Sequence, residues 1–429
     1  MPPRAVGIIQ EAPQHSFVMA TTIFLEQHLS SDTAERLRML GAIAEEEGIG
    51  LYLVGGSVRD CLLGRPVVDL DLTSEAPAES VAQLLAGATG GGIHARSQFG
   101  TLKLALGGWT VDLTTARSER YARPGALPTV FRGIMAQDLV RRDFSINAMA
   151  VALGSQEWGL LLDPTGGEAD LRKGVLRALH GSSFQDDATR ILRAVRYAVR
   201  LEFSIEPRTM EWLRRDLACL ETISPARVRR EVERFLAEVS PAAALLRAHQ
   251  LGVLGAIHPA LGKSEVGQTL RGAQSYLLEP LSHLGVLTYG ATPEETEAIA
   301  RRLALTLRQC QVVTQVQQLK AELPWLAQKE FLPHEITEHL ERYTPSSVSA
   351  VASVARGPLV RARLRRYLQA WRRIRPVLGG RELLLLGVRP GPRVGQLLRR
   401  LRNARLDGRI QSRKAEVAYV RAALAEVQA

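Results

Sequence analysis

The chain has 429 residues, 46 % of them hydrophobic and 23 % charged, which is typical of a folded globular protein rather than a disordered one. This length predicts several domains, because it exceeds what one hydrophobic core usually organises. Three widely spaced cysteines argue against a disulfide framework or a thiolate metal site, and no apolar run could span a bilayer. Since the N-terminal residues also lack the pattern of a secretory signal, we expect a cytoplasmic enzyme or binding protein.

The charge is basic and unevenly distributed. Lys and Arg number 55 against 44 Asp and Glu, giving a net charge of +11. The segment from Arg361 to Arg405 contains fourteen Arg and a single acidic residue, Glu382. Arginine pairs bidentately with phosphate, so this segment predicts contact with a nucleic-acid backbone. The alternative is an ordinary solvated basic surface.

The predicted elements divide the chain into an α/β part and a helical part. Residues 1–30 are predicted to be an extension. Over residues 31–155, strand-like alternation in LYLV, VVDLDLTS, GTLKLAL and WTVDLTTAR surrounds a helix predicted for AESVAQLLAGA. From residue 186 onward the pattern is almost entirely helical, and six prolines divide it into short helices: Pro207, Pro225, Pro241, Pro259, Pro280 and Pro293.

Two aspartates in VVDLDLTS are the first candidates for chemistry. Asp69 and Asp71 are two residues apart in a strand pattern, so they are predicted to share one face. Adjacent carboxylates repel unless a cation neutralises them, and oxygen ligands alone favour Mg²⁺ over zinc. Asp112, in WTVDLTTAR, is a possible third carboxylate. The alternative is a chance pair of acidic residues on a surface strand.

A glycine pair follows the first predicted strand. Gly55 and Gly56 would let the backbone approach a phosphate closely, and Arg59 could bind the same phosphate. The segment is neither a Walker A loop nor a dinucleotide-binding fingerprint, because G-K-[ST] and G-x-G-x-x-G are both absent. An ordinary strand-to-helix turn is the alternative.

Two polar segments could bind a nucleotide. LVRRDFSINAMA contains Arg142, and DDATRILRAVR places Asp187, Arg190, Arg193 and Arg196 three residues apart on adjoining parts of a helix face. Asp offers acceptors and Arg offers donors, so together they could pair with the edge of a base while other arginines hold phosphates. Surface ion pairs are the alternative interpretation.

Five motifs occur in an order and spacing that resembles one family. GGSVRD, DLD, RRDFSINA, DPTGGEADL and DDATRILRAVRYA are similar to motifs of the class II tRNA nucleotidyltransferase/poly(A) polymerase family. The resemblance is strong over about residues 35–240 and extends to GRELLLLGVRPGPRVGQLLRRLRNARLDG. It implies an α+β fold, in which a polymerase-β-like nucleotidyltransferase head of mixed sheet and helices precedes an all-α neck, body and tail. The expected bounds are 31–155 for the head, 156–220 for the neck, 221–330 for the body and 331–429 for the basic, tRNA-binding tail.

The resemblance also implies roles for individual residues. Asp69 and Asp71 would hold the catalytic Mg²⁺, with Asp112 as a further catalytic carboxylate. The nucleotide would be bound by Gly55, Gly56, Arg59 and Arg142 near its triphosphate and ribose, by Asp187 and Arg190 at its base, and by Arg193 and Arg196 at its phosphates. In the tail, tRNA would be held by Arg393, Arg399, Arg400 and Arg402.

The implied activity is addition of the 3′-terminal CCA nucleotides to tRNA from CTP and ATP, without a nucleic-acid template and without a membrane partner. Alternatives are an enzyme that adds only A or only CC, a poly(A) polymerase, or an inactive RNA-binding homologue. Two departures from the family pattern bear on this choice. The base-reading motif begins Asp186-Asp187 where Glu-Asp is usual, and residues 116–130 lack the acidic character of full CCA-adding members, so they resemble the A-adding ones.

Overall fold

The computed structural model describes residues 21–23, 25–67, 69–97, 100–123, 125–276 and 278–425. They form two compact units. The first contains the residues up to Arg190 together with Leu201–Leu213, and the second contains Ile191–Arg200 and the residues from Arg214 onward. Most of the predicted extension over residues 1–30 lies outside the described residues, and the division into head, neck, body and tail stays a prediction.

The first unit is built on a mixed sheet, as predicted. Its eight strands have the order β1-β10-β9-β2-β3-β6-β5-β4, in which β3 and β6 are parallel and the other neighbours antiparallel. Since β10 belongs to it, the sheet extends beyond residue 155. Among the described residues, the strands inside and outside this sheet are β1 Thr21–Thr22, β2 Leu51–Val54, β3 Asp71–Ser74, β4 Gly92–Arg96, β5 Leu102–Leu106, β6 Trp109–Thr115, β7 Arg117–Arg120, β8 Thr129–Arg132, β9 Ala150–Ala152, β10 Leu160–Leu162, β11 Val175–Leu176 and β12 Ser204–Ile205, of which β11 and β12 form a separate parallel pair.

The alternating strand pattern explains how this sheet is buried. Leu53, Leu72, Leu104 and Leu113, one from each of four neighbouring strands, are almost completely buried, while polar residues alternate with them. A hairpin of β7 and β8 pairs separately from the main sheet. The first helices of the chain are α1 Ser31–Glu46, α2 Gly56–Leu62, α3 Ala78–Thr89, α4 Met135–Val140, α5 Gly167–Lys173, α6 Ser183–Asp186, α7 Thr189–Leu201 and α8 Pro207–Arg215.

In the described residues from Arg214 onward, the second unit consists of helices. The six prolines that were predicted to separate helices each stand at the first residue of a helix, which for Pro259 is a short 3-10 helix. Proline suits this position because the first helical N–H has no partner to lose. The helices are α9 Pro225–Leu236, α10 Pro241–Gln250, α11 Val253–Ile257, α12 Ser264–Ala273, α13 Pro280–Thr288, α14 Pro293–Arg302, α15 Leu307–Ala321, α16 Leu323–Leu326, α17 Pro333–Leu340, α18 Pro345–Val354, α19 Pro358–Gln369, α20 Gly380–Leu385, α21 Pro392–Leu406 and α22 Arg413–Ala425.

The C-terminal basic segment has an apolar core of its own. Leu383, Leu397, Leu401 and Val420 form a buried cluster that joins α20, α21 and α22, so the arginines of α21 occupy its other faces. Among the described residues, we find no helix whose length and apolarity would allow it to cross a membrane.

Candidate active site

The two carboxylates predicted to hold a metal lie where β3 begins. The strand starts at Asp71, so Asp69 stands in the preceding turn and not on the strand that the alternation predicted. Ser57 of α2 fixes this turn. Its hydroxyl donates to the Asp69 carbonyl oxygen at 2.8 Å and accepts from the Asp71 N–H at 3.0 Å. The sequence analysis missed Ser57, because nothing in the sequence shows which loop a buried hydroxyl will meet.

Asp112 lies on β6, next to Asp71. The two residues are register partners in the parallel ladder of β3 and β6, and Asp112 is also the register partner of Lys103 on β5. Laterally paired residues project from the same face of a sheet. The Lys103 Nζ lies 2.9 Å from Asp112 Oδ1, so a cation that the sequence analysis did not single out already pairs with the third carboxylate.

The crowding of acids changes the ionisation of Asp71. Burial raises the pKa of the Asp71 carboxyl to about 6, and the neighbouring Asp112 and Asp69 act in the same direction, against Arg142 and Lys103. A carboxyl group that resists ionisation is relieved by a bound cation, and these oxygen donors fit a hard divalent ion.

No group of three or more His, Cys, Asp or Glu side chains is arranged to hold a metal in the part of the chain that the structure describes. The carboxylates of Asp69 and Asp71 are oxygen donors that fit a cation, whereas Oδ1 of Asp112 already lies 2.9 Å from the Lys103 ammonium.

The glycine pair lies at the start of α2, the helix whose Ser57 bonds to the turn that carries Asp69 and Asp71. Gly55 lies between β2 and α2 with a φ of 67°, a positive value that glycine adopts without strain, and Gly56 begins α2. A Cβ atom at Gly55 would lie 2.6 Å from Nη1 of Arg142. A side chain at this position would therefore also displace the Arg142 guanidinium from its present place against the turn.

A buried acid that the sequence analysis missed orients Arg142. Asp138 of α4 is fully buried and accepts hydrogen bonds from Nη2 of Arg142 at 2.8 Å and Nη2 of Arg141 at 2.6 Å. Burial alone would raise the pKa of Asp138, but the two guanidinium groups outweigh it and hold that pKa below its usual value. Arg141 also donates to Glu119 on β7 at 2.8 Å. We call Asp138, Arg141, Arg142 and Glu119 the arginine network.

Arg59 joins two of the sequence motifs. Its Nη1 donates to Oδ1 of Asn147 at 2.7 Å, and its Nε and Nη2 donate to the Asp60 carboxylate at 2.9 and 2.8 Å. GGSVRD is thereby tied to RRDFSINA, 88 residues away in sequence. With only 3 % of its surface exposed, Arg59 supports the site from within the fold, and its predicted contact with the triphosphate stays a prediction.

The residues predicted to read the base lie in the same unit as the carboxylates. Asp187 precedes α7, and its Oδ1 accepts a hydrogen bond from the backbone N–H of Thr189 at 2.9 Å. Arg190 is buried; its Nη1 donates to the Ser183 hydroxyl and its Nη2 to the carbonyl oxygen of Arg141, both at 2.8 Å. Arg190 is thereby joined to the main chain of Arg141, a member of the arginine network.

Arg193 and Arg196 belong to the second unit. Arg196 is buried and pairs with Glu238 at 2.9 Å, and Nη2 of Arg193 donates to the Tyr197 hydroxyl at 3.2 Å. Both arginines have partners within their own unit, so their predicted support of the nucleotide's phosphates stays a prediction.

The four arginines predicted to hold tRNA all lie on α21, but their surroundings differ. Arg399 and Arg400 are exposed, and Arg393 is half-buried. Arg402 pairs with Glu341, and its Nε donates to the Ile374 carbonyl oxygen at 3.1 Å. Arg399 and Arg400 are thus better placed than Arg402 to meet a polyanion.

Comparisons with known proteins show which family the chain resembles. Residues 51–177 match the family described as the poly(A) polymerase head domain, and residues 202–264 match the probable RNA and SrmB-binding site of polymerase A. The chain is 29 % identical to an A-adding tRNA nucleotidyltransferase of Halalkalibacterium halodurans, over 96 % of this chain and 98 % of the relative. It is 32 % identical to a CC-adding tRNA nucleotidyltransferase of Deinococcus radiodurans, over 87 % of this chain and 89 % of the relative.

Solved structures show the same fold. The chain is similar to the Thermotoga maritima CCA-adding enzyme in complex with tRNA, with a TM-score of 0.75 and 26 % identity over 93 % of this chain and 97 % of that one. The motifs, the mixed sheet and the extent of these matches together show that the chain belongs to the tRNA nucleotidyltransferase/poly(A) polymerase family and is a nucleotidyltransferase.

Proposed function

We propose that this chain completes the 3′ end of tRNA by adding nucleotides of the CCA sequence from CTP and ATP, with Mg²⁺ and without a nucleic-acid template. The observation that carries the proposal is the carboxylate pair of Asp69 and Asp71, with the raised pKa of Asp71, beside the Gly55 turn and Arg142. Relatives that add A and relatives that add CC both support a tRNA substrate.

In this reaction the 3′ hydroxyl of the tRNA attacks the α-phosphate of the incoming nucleotide, and pyrophosphate leaves. A divalent ion held by Asp69 and Asp71 would stabilise the charge that develops on the phosphate and lower the pKa of the attacking hydroxyl. Arg142 contributes a fixed positive charge, because Asp138 holds its guanidinium against the Gly55 turn. A charge that is already oriented needs no reorganisation when the triphosphate binds.

Selection of the base would rest on Asp187 and Arg190. Arg190 is held by Ser183 and by the Arg141 carbonyl, so its guanidinium group is already oriented before a nucleotide binds. A donor fork and a carboxylate can pair with the edge of a cytosine or an adenine and leave other bases with unmatched polar groups. Protein side chains would then replace a template strand.

A second candidate is an enzyme that adds only the terminal A. It is favoured by residues 116–130, whose sequence resembles the A-adding members of the family. Most of this segment lies between β7 and β8 or within them, and β7 carries Glu119 of the arginine network. A change in this hairpin therefore has a route to Arg190.

One experiment separates these activities. Purified full-length protein would be incubated with tRNA ending before CCA, tRNA ending in CC, or oligo(A), with each labelled nucleotide alone and with CTP and ATP together, and the product lengths read on a sequencing gel. On the first tRNA we expect two additions with CTP alone and three with CTP and ATP together. Extension of only the CC-ended tRNA would identify an A-adding enzyme, long extension of oligo(A) a poly(A) polymerase, and no product with any substrate would overturn the proposal.

A further inference from the structure

Three charged side chains stand in a row across the sheet. Asp71 on β3, Asp112 on β6 and Lys103 on β5 are lateral register partners, so they project from one face. Asp71 and Asp112 are acids already assigned to the site. Lys103 is not part of any motif that identified the family, and the function proposed above gives it no role.

Lys103 forms an ion pair with the Asp112 carboxylate. Its Nζ lies 2.9 Å from Asp112 Oδ1, a distance of a direct ion pair. Because β6 lies between β3 and β5, Lys103 and Asp71 flank Asp112 on opposite sides, and the ion pair engages Asp112 on the side away from Asp71. A site without Lys103 would have a third anionic carboxylate free to turn toward a cation at Asp69 and Asp71.

We infer that Lys103 is a positioning residue that holds Asp112 as its own ion-pair partner and thereby limits the metal site to two carboxylates, which weakens binding of a divalent ion. This inference rests on the proposed function, since it assumes that Asp69 and Asp71 hold the metal.

The physical reason is a competition between cations. A lysine ammonium a few ångströms from a divalent ion repels it directly and also withdraws one of its anionic ligands. The pair is partly exposed, with 44 % of the Lys103 side chain and 30 % of the Asp112 side chain accessible, so it can open without disturbing the core. A site of this kind binds its ion weakly until a triphosphate supplies further oxygen ligands.

The test is a titration of the full-length chain with Mn²⁺ alone. At each step, electron paramagnetic resonance measures how much of the Mn²⁺ remains free. Mn²⁺ replaces Mg²⁺ as the probe because it is visible by this method and prefers similar ligands. Wild type would be compared with Lys103→Met, which removes the charge, and Lys103→Arg, which keeps it. Lys263→Met is the matched control, because Lys263 forms an ion pair with Glu295 at 2.5 Å and similar exposure in the second unit.

We expect Lys103→Met to bind Mn²⁺ on the order of tenfold more tightly than wild type, an effect that shrinks as salt rises. Lys103→Arg and Lys263→Met should stay within about twofold of wild type, and all melting temperatures should agree, because exposed ion pairs add little stability. Unchanged or weaker Mn²⁺ binding by Lys103→Met would overturn the inference.

A double Asp69→Asn/Asp71→Asn variant identifies the site that is being measured. If neither wild type nor Lys103→Met binds Mn²⁺ better than this double variant, both the metal assignment and the inference about Lys103 fail. If the double variant loses Mn²⁺ binding but Lys103→Met equals wild type, the metal site stands and only the role of Lys103 is wrong.

Discussion

The arginines of the first unit and those of the C-terminal basic segment are used in opposite ways. Arg59, Arg142 and Arg190 each have protein partners on at least two of their nitrogen atoms, and Arg59 and Arg190 are buried. Between Arg361 and Arg405, nine of the fourteen arginines are exposed, all of them within the described residues. A guanidinium group that is hydrogen-bonded to protein partners has a fixed orientation, whereas an exposed guanidinium group supplies mainly positive charge.

This difference matches two kinds of recognition. Chemistry at an α-phosphate and selection among bases need donors placed within fractions of an ångström. Holding a large folded RNA needs many phosphate contacts that tolerate small displacements. Substitutions at the partnered arginines of the first unit should therefore change catalysis, selectivity or folding, and substitutions at the exposed arginines of the basic segment should change affinity and its dependence on salt.

The largest effect is expected at the carboxylate pair. Asp71→Ala should lower the rate of nucleotide addition at least about 10³-fold, because a lost metal ligand removes several kcal/mol of transition-state stabilisation. Binding of tRNA, measured by filter binding, should hardly change. Asp32→Ala, at an exposed acid on α1, is the control and should keep wild-type activity. Near-normal turnover in Asp71→Ala would contradict the polymerase chemistry proposed for this site.

The arginine network should be the most sensitive to loss of its buried acid. Asp138→Ala leaves Arg141 and Arg142 without their shared carboxylate, which should lower the free energy of unfolding by about 3–5 kcal/mol. Urea unfolding monitored by circular dichroism measures this. Arg399→Ala, in the basic segment, is the contrasting variant and should change stability by about 0.5 kcal/mol or less. Equal effects of the two substitutions would break the comparison between the regions.

The raised pKa of Asp71 predicts a pH-dependent gain in stability on removing its charge. When a folded-state pKa is above the unfolded one, that group stabilises the fold at low pH, and this contribution is lost as the pH rises through about 6. Asp71→Asn should therefore stabilise the metal-free protein at pH 7.5, by at most about 3 kcal/mol, and by much less at pH 4.5. Thermal unfolding in EDTA at both pH values checks this. If Asp71→Asn gained the same stability at both pH values, the result would count against a raised pKa of Asp71.

A smaller effect is expected for base choice. Arg190→Ala should reduce discrimination among the four nucleotides by about 1–3 kcal/mol, since one edge of the base loses its donor fork. Relative kcat/KM values for ATP, CTP, GTP and UTP give the result. Glu119→Gln, which weakens the network behind Arg190, should shift the same ratios less. Glu206→Gln, a partly buried acid of the same unit bonded to Thr209, is the matched control. If the relative kcat/KM values of Arg190→Ala equalled those of wild type, Arg190 would have a structural role and would not read the base.

The smallest single effects are expected in the basic segment. The double substitution Arg399→Ala/Arg400→Ala should weaken tRNA binding a few-fold and reduce the slope of log K against log salt by about 0.7–0.9 for each phosphate that is no longer neutralised. Arg402→Ala should instead act on stability, because Arg402 pairs with Glu341. A larger salt effect from Arg402 than from the exposed pair would reverse these assignments.

The motifs of the sequence were sufficient to predict the fold class and the family. Strand alternation predicted an α/β domain and prolines predicted the division into short helices, because both patterns act through neighbouring residues along the chain, whereas the mixed sheet followed from the family resemblance. The chemistry of two nearby carboxylates also followed from residue types alone. Asp69 was placed wrongly on the strand, since the exact start of a strand depends on its pairing.

Only the tertiary structure decided which side chains meet. Lys103 faces Asp112 because of the register of β5 against β6, and Arg59 meets Asn147 across 88 residues of sequence. Asp138 becomes the anchor of Arg142 because folding buries its carboxylate against the guanidinium groups of Arg141 and Arg142. A sequence determines local periodicity and composition, but register, burial and the pairing of distant charges arise from packing. The residues that tune this site therefore became visible only in the fold.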